Sequence, residues 1–198
     1  MYFTEIKLDA KSYRRQHDLT DPRRYHGYIE RSFPTEIKNR VRKRHLWRLE
    51  YDNKLILISA DKPDTKRLMK YATKVGTIDY DLFLSELKSD KIYHFKLIAN
   101  PTKRNIRTRR RVPLLTMDEQ GNWLQNKSDQ HGFHLINYSI HPTAARTIHS
   151  KQYNINSICY IGRLRIIDLP EFKSALCNGI GQERAYGRGL LTIEPEQE

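Results

Sequence analysis

Apolar and polar residues alternate over residues 1–9, with Phe3, Ile6 and Leu8 apolar, and this period predicts an opening strand. After a polar stretch, Asp21 and Pro22 predict a helix start, because Asp caps an N-terminus well and Pro suits the first helical position. The helix should run to about residue 33, ahead of Pro34. Residues 38–44 are basic. Two strand-like runs follow, 45–51 and 54–60, joined by an Asp52–Asn53 turn as a hairpin. Residues 64–73 then suggest a second helix and 77–80 a short strand, so the order is βαββαβ.

A second pass of similar order starts with a strand over 92–99 and an Arg-rich excursion. A helix over 116–130, strands over 133–140 and 157–167, a helix over 169–178, a glycine loop and a strand over 189–193 complete it. The fold class this predicts is α+β, as two tandem ferredoxin-like (RRM-like) domains over 1–84 and 91–198, with residues 81–90 as linker. The duplication is one of element order only, so a single larger α+β domain is the alternative.

Composition narrows the partner. With 36 Lys and Arg against 23 Asp and Glu, the formal charge is +13, which favours a polyanion, nucleic acid foremost. Twelve Tyr, six Phe and two Trp are too much aromatic material for a solvated basic tail. The longest aliphatic run is Leu55-Ile56-Leu57-Ile58, far short of a membrane span, and no basic amphipathic helix with a wide apolar face competes as a membrane binder. The first residues lack the charged start and apolar stretch of a signal peptide, so the expected compartment is the cytoplasm. Cys159 and Cys177 are too few for a disulfide framework and wrongly spaced for zinc, which fits reduced, buried thiols.

Three features carry candidate chemistry. Four of nine glycines fall within eleven residues, Gly179 and Gly181, then Gly187 and Gly189, leading into Leu190-Leu191. Glycines so placed suit a loop whose backbone meets a phosphodiester, and a Cβ at Gly181 or Gly187 should weaken binding while sparing the fold. Lys103, Arg104, Arg107, Arg109, Arg110 and Arg111 lie between two strand-like segments and predict a basic hairpin suited to phosphates on both strands of a duplex; Lys38, Arg40, Arg42, Lys43 and Arg44 form a further cluster. Third, His26 falls at the edge of the apolar face formed by Tyr25, Ile29 and Phe33, with Arg23 and Glu30 on either side. Imidazole titrates near neutrality, so such a histidine can exchange a proton with an RNA 2′-hydroxyl or a leaving 5′-oxygen without a metal. Neither 131–134 nor 79–81 has convincing metal-ligand spacing, and no Walker loop is present. Trp47 and Trp123 are expected to be core anchors.

Read together, these stretches resemble the CasE (Cse3) family of CRISPR repeat-RNA endoribonucleases over essentially the whole length. The matching pieces are residues 1–6, the helix bearing His26, Leu46-Trp47-Arg48-Leu49-Glu50, residues 99–104, Arg111-Val112-Pro113-Leu114, Trp123-Leu124 and the loop 179–191. The resemblance implies two ferredoxin-like domains that bind the CRISPR repeat stem-loop (pre-crRNA and crRNA) and cut at its 3′ base, with other Cascade subunits as partners and no cofactor. It also implies a metal-independent reaction in which the 2′-hydroxyl attacks the adjacent phosphate, leaving a 2′,3′-cyclic phosphate and a 5′-hydroxyl. The family's catalytic histidine falls on His26 and a basic position five residues later on Arg31.

Some relatives have an assisting tyrosine three residues before the histidine, where this chain has Arg23. Tyr25 is nearby but points about 160° from Arg23, and Arg31 lies about 140° from His26 on an unbroken helix, so a role for Arg31 requires unwinding near Glu30. The alternatives are a non-catalytic RNA-binding structural protein and a DNA regulator, for which no helix-turn-helix is apparent.

Overall fold

The computed structural model describes residues 1–9, 22–143 and 157–196. The chain divides into two compact units, Met1–Glu86 with Arg184–Gly187, and Leu87–Glu183 with Arg188–Glu198.

In the first unit, β1 (Tyr2–Leu8) is followed by α1 (Pro22–Glu30), α2 (Pro34–Asn39), β2 (Leu46–Leu49), β3 (Lys54–Ser59), α3 (Thr65–Leu68), β4 (Ala72–Asp79) and α4 (Tyr80–Glu86). The strands form an antiparallel sheet in the order β2-β3-β1-β4, the ferredoxin-like arrangement. Ile6 and Leu8 of β1, with Leu55 and Leu57 of β3, point to one face and are covered by Tyr25, Tyr28, Ile29 and Phe33. That side-chain alternation matches the expected strand period.

Helix boundaries differ from the sequence expectation for local reasons. The expected Asp21 cap lies outside the described residues. The first helix ends at Glu30 rather than about residue 33: Ser32 N–H and Phe33 N–H donate to the carbonyls three residues back, Ile29 and Glu30, and the chain then restarts at Pro34 as α2. The helix expected over 64–73 is a single turn, capped by the Asp64 carboxylate, which accepts from the Lys66 and Arg67 amides. Residues 72–79 instead pair along the edge of β1, with Tyr2 opposite Asp79 and Leu8 opposite Ala72, so sheet formation overrides helix propensity. Part of the expected linker is helix α4.

The second unit repeats the order. It contains β5 (Ile92–Ala99), the hairpin β6 (Thr102–Arg104) and β7 (Arg111–Pro113), α5 (Met117–Gln130), β8 (Phe133–Pro142), β9 (Ile158–Ile166), α6 (Leu169–Asn178) and β10 (Leu191–Pro195). Its main sheet runs β10-β5-β9-β8, all antiparallel, so the chain carries two ferredoxin-like units. Helix α5 opens with a capping box: Thr116 Oγ1 accepts from the Glu119 amide and the Glu119 carboxylate accepts from the Thr116 amide. Tyr160 is buried beneath Trp123 and donates its hydroxyl to the Gln120 carbonyl. Trp47 and Trp123 are both buried, as expected of core anchors.

Candidate nucleic-acid interface and catalytic site

Helix α1 is amphipathic because Tyr25, Tyr28 and Ile29 are one and three to four residues apart, and burying them turns the edge of the helix carrying His26 toward solvent. The His26 side chain is 37% exposed. Tyr25 is a correction to the candidate site: it lies in the core, its ring 5.4 Å from that of Trp47, because it belongs to the apolar stripe. Arg23 and Arg31 are exposed. The helix turns tight only after Arg31, whose own amide still donates to the Gly27 carbonyl four residues back, so the unwinding near Glu30 that a role for Arg31 requires does not reach its backbone. Its side chain runs back along the axis, so that a Cβ on Gly27 would sit 3.8 Å from its Nη2, one residue from His26.

One aromatic partner of His26 is not apparent from the sequence. A 3₁₀ turn over Arg184–Tyr186 brings the Tyr186 ring edge-on to His26, with centroids 6.4 Å apart and planes at 69°. The only hint in the sequence is a tyrosine inside the glycine loop, about 160 residues away. Arg184 in the same turn has its guanidinium pushed down from the ordinary value, first by burial and then by repulsion from Arg44. Two cations crowded in this way favour an anion beside them.

The glycine loop has a packing role that the sequence does not disclose. Gly187 has φ +76°, and a Cβ there would come within 2.7 Å of the Trp47 ring; one on Gly181 would come within 3.0 Å of Trp123. The amides of Gly179, Gly187 and Gly189 donate to the carbonyls of Ala175, Arg184 and Ile98. The expectation that a Cβ at Gly181 or Gly187 would spare the fold is therefore corrected: these positions are glycine because indole rings lie against the backbone.

The basic excursion does form a hairpin. Asn105 Oδ1 accepts from the amides of Arg107 and Thr108, the Asn105 amide donates to the Arg110 carbonyl, and Arg109 takes φ 55° to close the turn. Lys103, Arg104, Arg107, Arg109, Arg110 and Arg111 are all exposed. Lys103 is nonetheless engaged, its Nζ 2.7 Å from Glu119 Oε1 at the start of α5. Where the hairpin meets α5, a cleft of about 440 Å³ is lined by Lys103, Arg111, Asn122, Asn126 and Lys127 among others. Burial, with repulsion from Arg111, pushes the Lys127 ammonium below its ordinary value. Among the described residues no group of three or more His, Cys, Asp or Glu is assembled as a metal site, and no helix is long and apolar enough to cross a membrane.

A family model described as "CRISPR associated protein" matches residues 1–195. The chain belongs to this family. The CRISPR-associated endoribonuclease Cse3 of Thermus thermophilus is 27% identical over 214 residues, covering 98% of this chain and 100% of the relative. The Cascade subunit CasE of Escherichia coli is 33% identical over 118 residues, 52% of this chain and 57% of that protein. A solved structure of Cse3 bound to a 19-nucleotide RNA superposes with a TM-score of 0.86 at 27% identity, covering 98% of this chain and 99% of that one.

Proposed function

We propose that this chain is a CRISPR repeat-RNA endoribonuclease in which His26 is the proton-exchanging group. The observation that carries the proposal is the setting of His26, half-exposed on a helix edge with the Tyr186 ring edge-on to it and Arg184 in the same 3₁₀ turn, in a chain that aligns end to end with an endoribonuclease. The RNA supplies its own nucleophile. His26 takes the 2′-hydroxyl proton or gives one to the departing 5′-oxygen, while Arg23 or Arg31 balances the charge that builds on phosphorus, leaving a 2′,3′-cyclic phosphate and a 5′-hydroxyl. The hairpin carrying Arg104, Arg107, Arg109, Arg110 and Arg111 holds stem phosphates. The loop around Gly179, Gly181, Gly187 and Gly189 acts through the side chains it presents, Arg184 and Tyr186. Likeness to the Escherichia coli subunit supports retention on the cut RNA within a Cascade assembly, and two cysteines outside any disulfide suit the cytoplasm.

His26→Ala should slow cleavage by ~10²–10⁴, the usual contribution of a positioned acid or base, while repeat-RNA affinity stays within about 1 kcal/mol of wild type. A 2′-deoxy nucleotide immediately 5′ of the scissile phosphate should be bound and left uncut, and EDTA should change nothing. Cleavage that needs a divalent ion or survives the deoxy substitution would replace this mechanism with metal-assisted hydrolysis. Tight binding with no cut under any of these conditions would mark a non-catalytic RNA-binding protein, a reading favoured only by Arg23 standing at the assisting-tyrosine position.

A further inference from the structure

Behind His26 runs a chain of ionisable side chains that the proposed reaction leaves unused. Glu30 is one helical turn further along α1, and its Oε1 lies 3.8 Å from His26 Nδ1. The same oxygen accepts a 2.8 Å hydrogen bond from Nδ1 of His45, whose side chain is only 1% exposed. The other ring nitrogen of His45 is 3.2 Å from Glu36 Oε1, and Glu36 Oε2 accepts from the Lys43 amide. Phe33 stacks flat on the His45 ring, with centroids 3.9 Å apart and planes at 9°. Ionised carboxylates accept and cannot donate, so both contacts of His45 are hydrogen bonds only if the ring carries both N–H protons or one carboxyl is itself protonated. His45, held by Glu36 and stacked under Phe33, fixes the Glu30 carboxylate in place.

A purely structural partner for His45 already exists in Glu36. Glu30 also places its charge in the last turn of α1, where the helix dipole disfavours an anion. Glu30 also faces His26 on its Nδ1 side. We infer that Glu30 is the positioning residue of His26: it accepts a hydrogen bond from Nδ1–H, holds the neutral ring in the tautomer with Nε2 unprotonated, and is itself clamped by buried His45. At 3.8 Å the two groups are in ion-pair range without a formed hydrogen bond, and such contacts tighten when substrate excludes water. During the reaction one proton passes between Nε2 and the RNA. The Nδ1 proton stays on the ring, and Glu30 remains ionised and stabilises the imidazolium. The catalytic half of this inference rests on the function proposed above; the tautomer half does not.

The experiment therefore has two readouts. The first is ¹⁵N NMR of the His26 ring in the full-length protein, at a pH where the ring is neutral. The Nδ1–H tautomer is expected in wild type, with a shift toward Nε2–H in Glu30→Gln. The second is single-turnover cleavage of repeat RNA at saturating protein. Glu30→Gln should lower the rate at least tenfold, part of the ~10²–10⁴ available to a positioned acid or base, with RNA affinity within about twofold. If Glu30→Gln does not fold, His45→Gln loosens the clamp without touching the Glu30 charge and should lower the rate in the same direction. An Nε2–H tautomer in wild type, or an unchanged rate in a folded variant, overturns the inference even if His26→Ala is inactive. A wild type that binds repeat RNA and never cuts it overturns the functional proposal instead, and the tautomer result stands apart from it.

Discussion

Gly187 carries more of the fold than a loop glycine usually does. Its left-handed backbone brings the chain flat against Trp47, whose indole N–H donates to the Ala185 carbonyl, and this contact seats Tyr186 beside His26. Gly187→Ala should destabilise the protein by roughly 1–3 kcal/mol through overpacking and backbone strain, measured by urea denaturation. Unchanged stability would show that the ring can give way. Tyr186→Leu tests what the packing delivers: it should lower the cleavage rate and leave the denaturation midpoint near wild type, because Tyr186 is partly exposed. His26 is legible from helical phase alone. Tyr186 is not, because nothing local to residue 186 records which helix it will face.

At the scale of elements, the start of α5 ties three pieces together. The Glu119 carboxyl is held below its ordinary range, first by the hydrogen bond from Lys103 of the hairpin and then by the amides of Leu115 and Thr116. A carboxyl depressed on folding contributes stability that is full above the unfolded value and disappears as pH falls through the folded one. The melting-temperature gap between wild type and Glu119→Gln should therefore be widest near neutrality and close as pH falls through the depressed folded value. Thr116→Ala removes the other half of the box and should cost about 1 kcal/mol. The capped helices α5 and α6 are readable almost to the residue because their stop and start signals are local. Sequence periodicity overextends the one-turn helix α3, since the β1 edge that claims residues 72–79 lies about seventy positions earlier in the chain.

For the molecule as a whole, a charge of +13 makes ionic strength the main experimental variable. Replacing Arg109, Arg110 and Arg111 together by Ala should flatten the slope of log affinity against log salt by roughly 0.7–0.9 for each phosphate these arginines neutralise. An unaltered slope would remove the hairpin from the interface. The same charge count is what makes nucleic acid the proposed partner from composition alone: net charge and exposed arginines depend on which residues the chain contains, and among the described residues folding moves few cations inside. Arg48 and Arg188 are buried exceptions.

Strand periods, helix caps, the twofold βαββαβ order and the candidate histidine are written in short windows of sequence, where side-chain spacing and capping chemistry act over a few residues. Three features are not: the packing of Gly187 on Trp47, the meeting of Tyr186 with His26, and the Glu30–His45–Glu36 cluster behind the helix. Each joins residues whose proximity depends on how helices and loops close over the first sheet. The same glycines and the same histidine suit a solvated loop and a surface side chain equally well until that packing selects one arrangement.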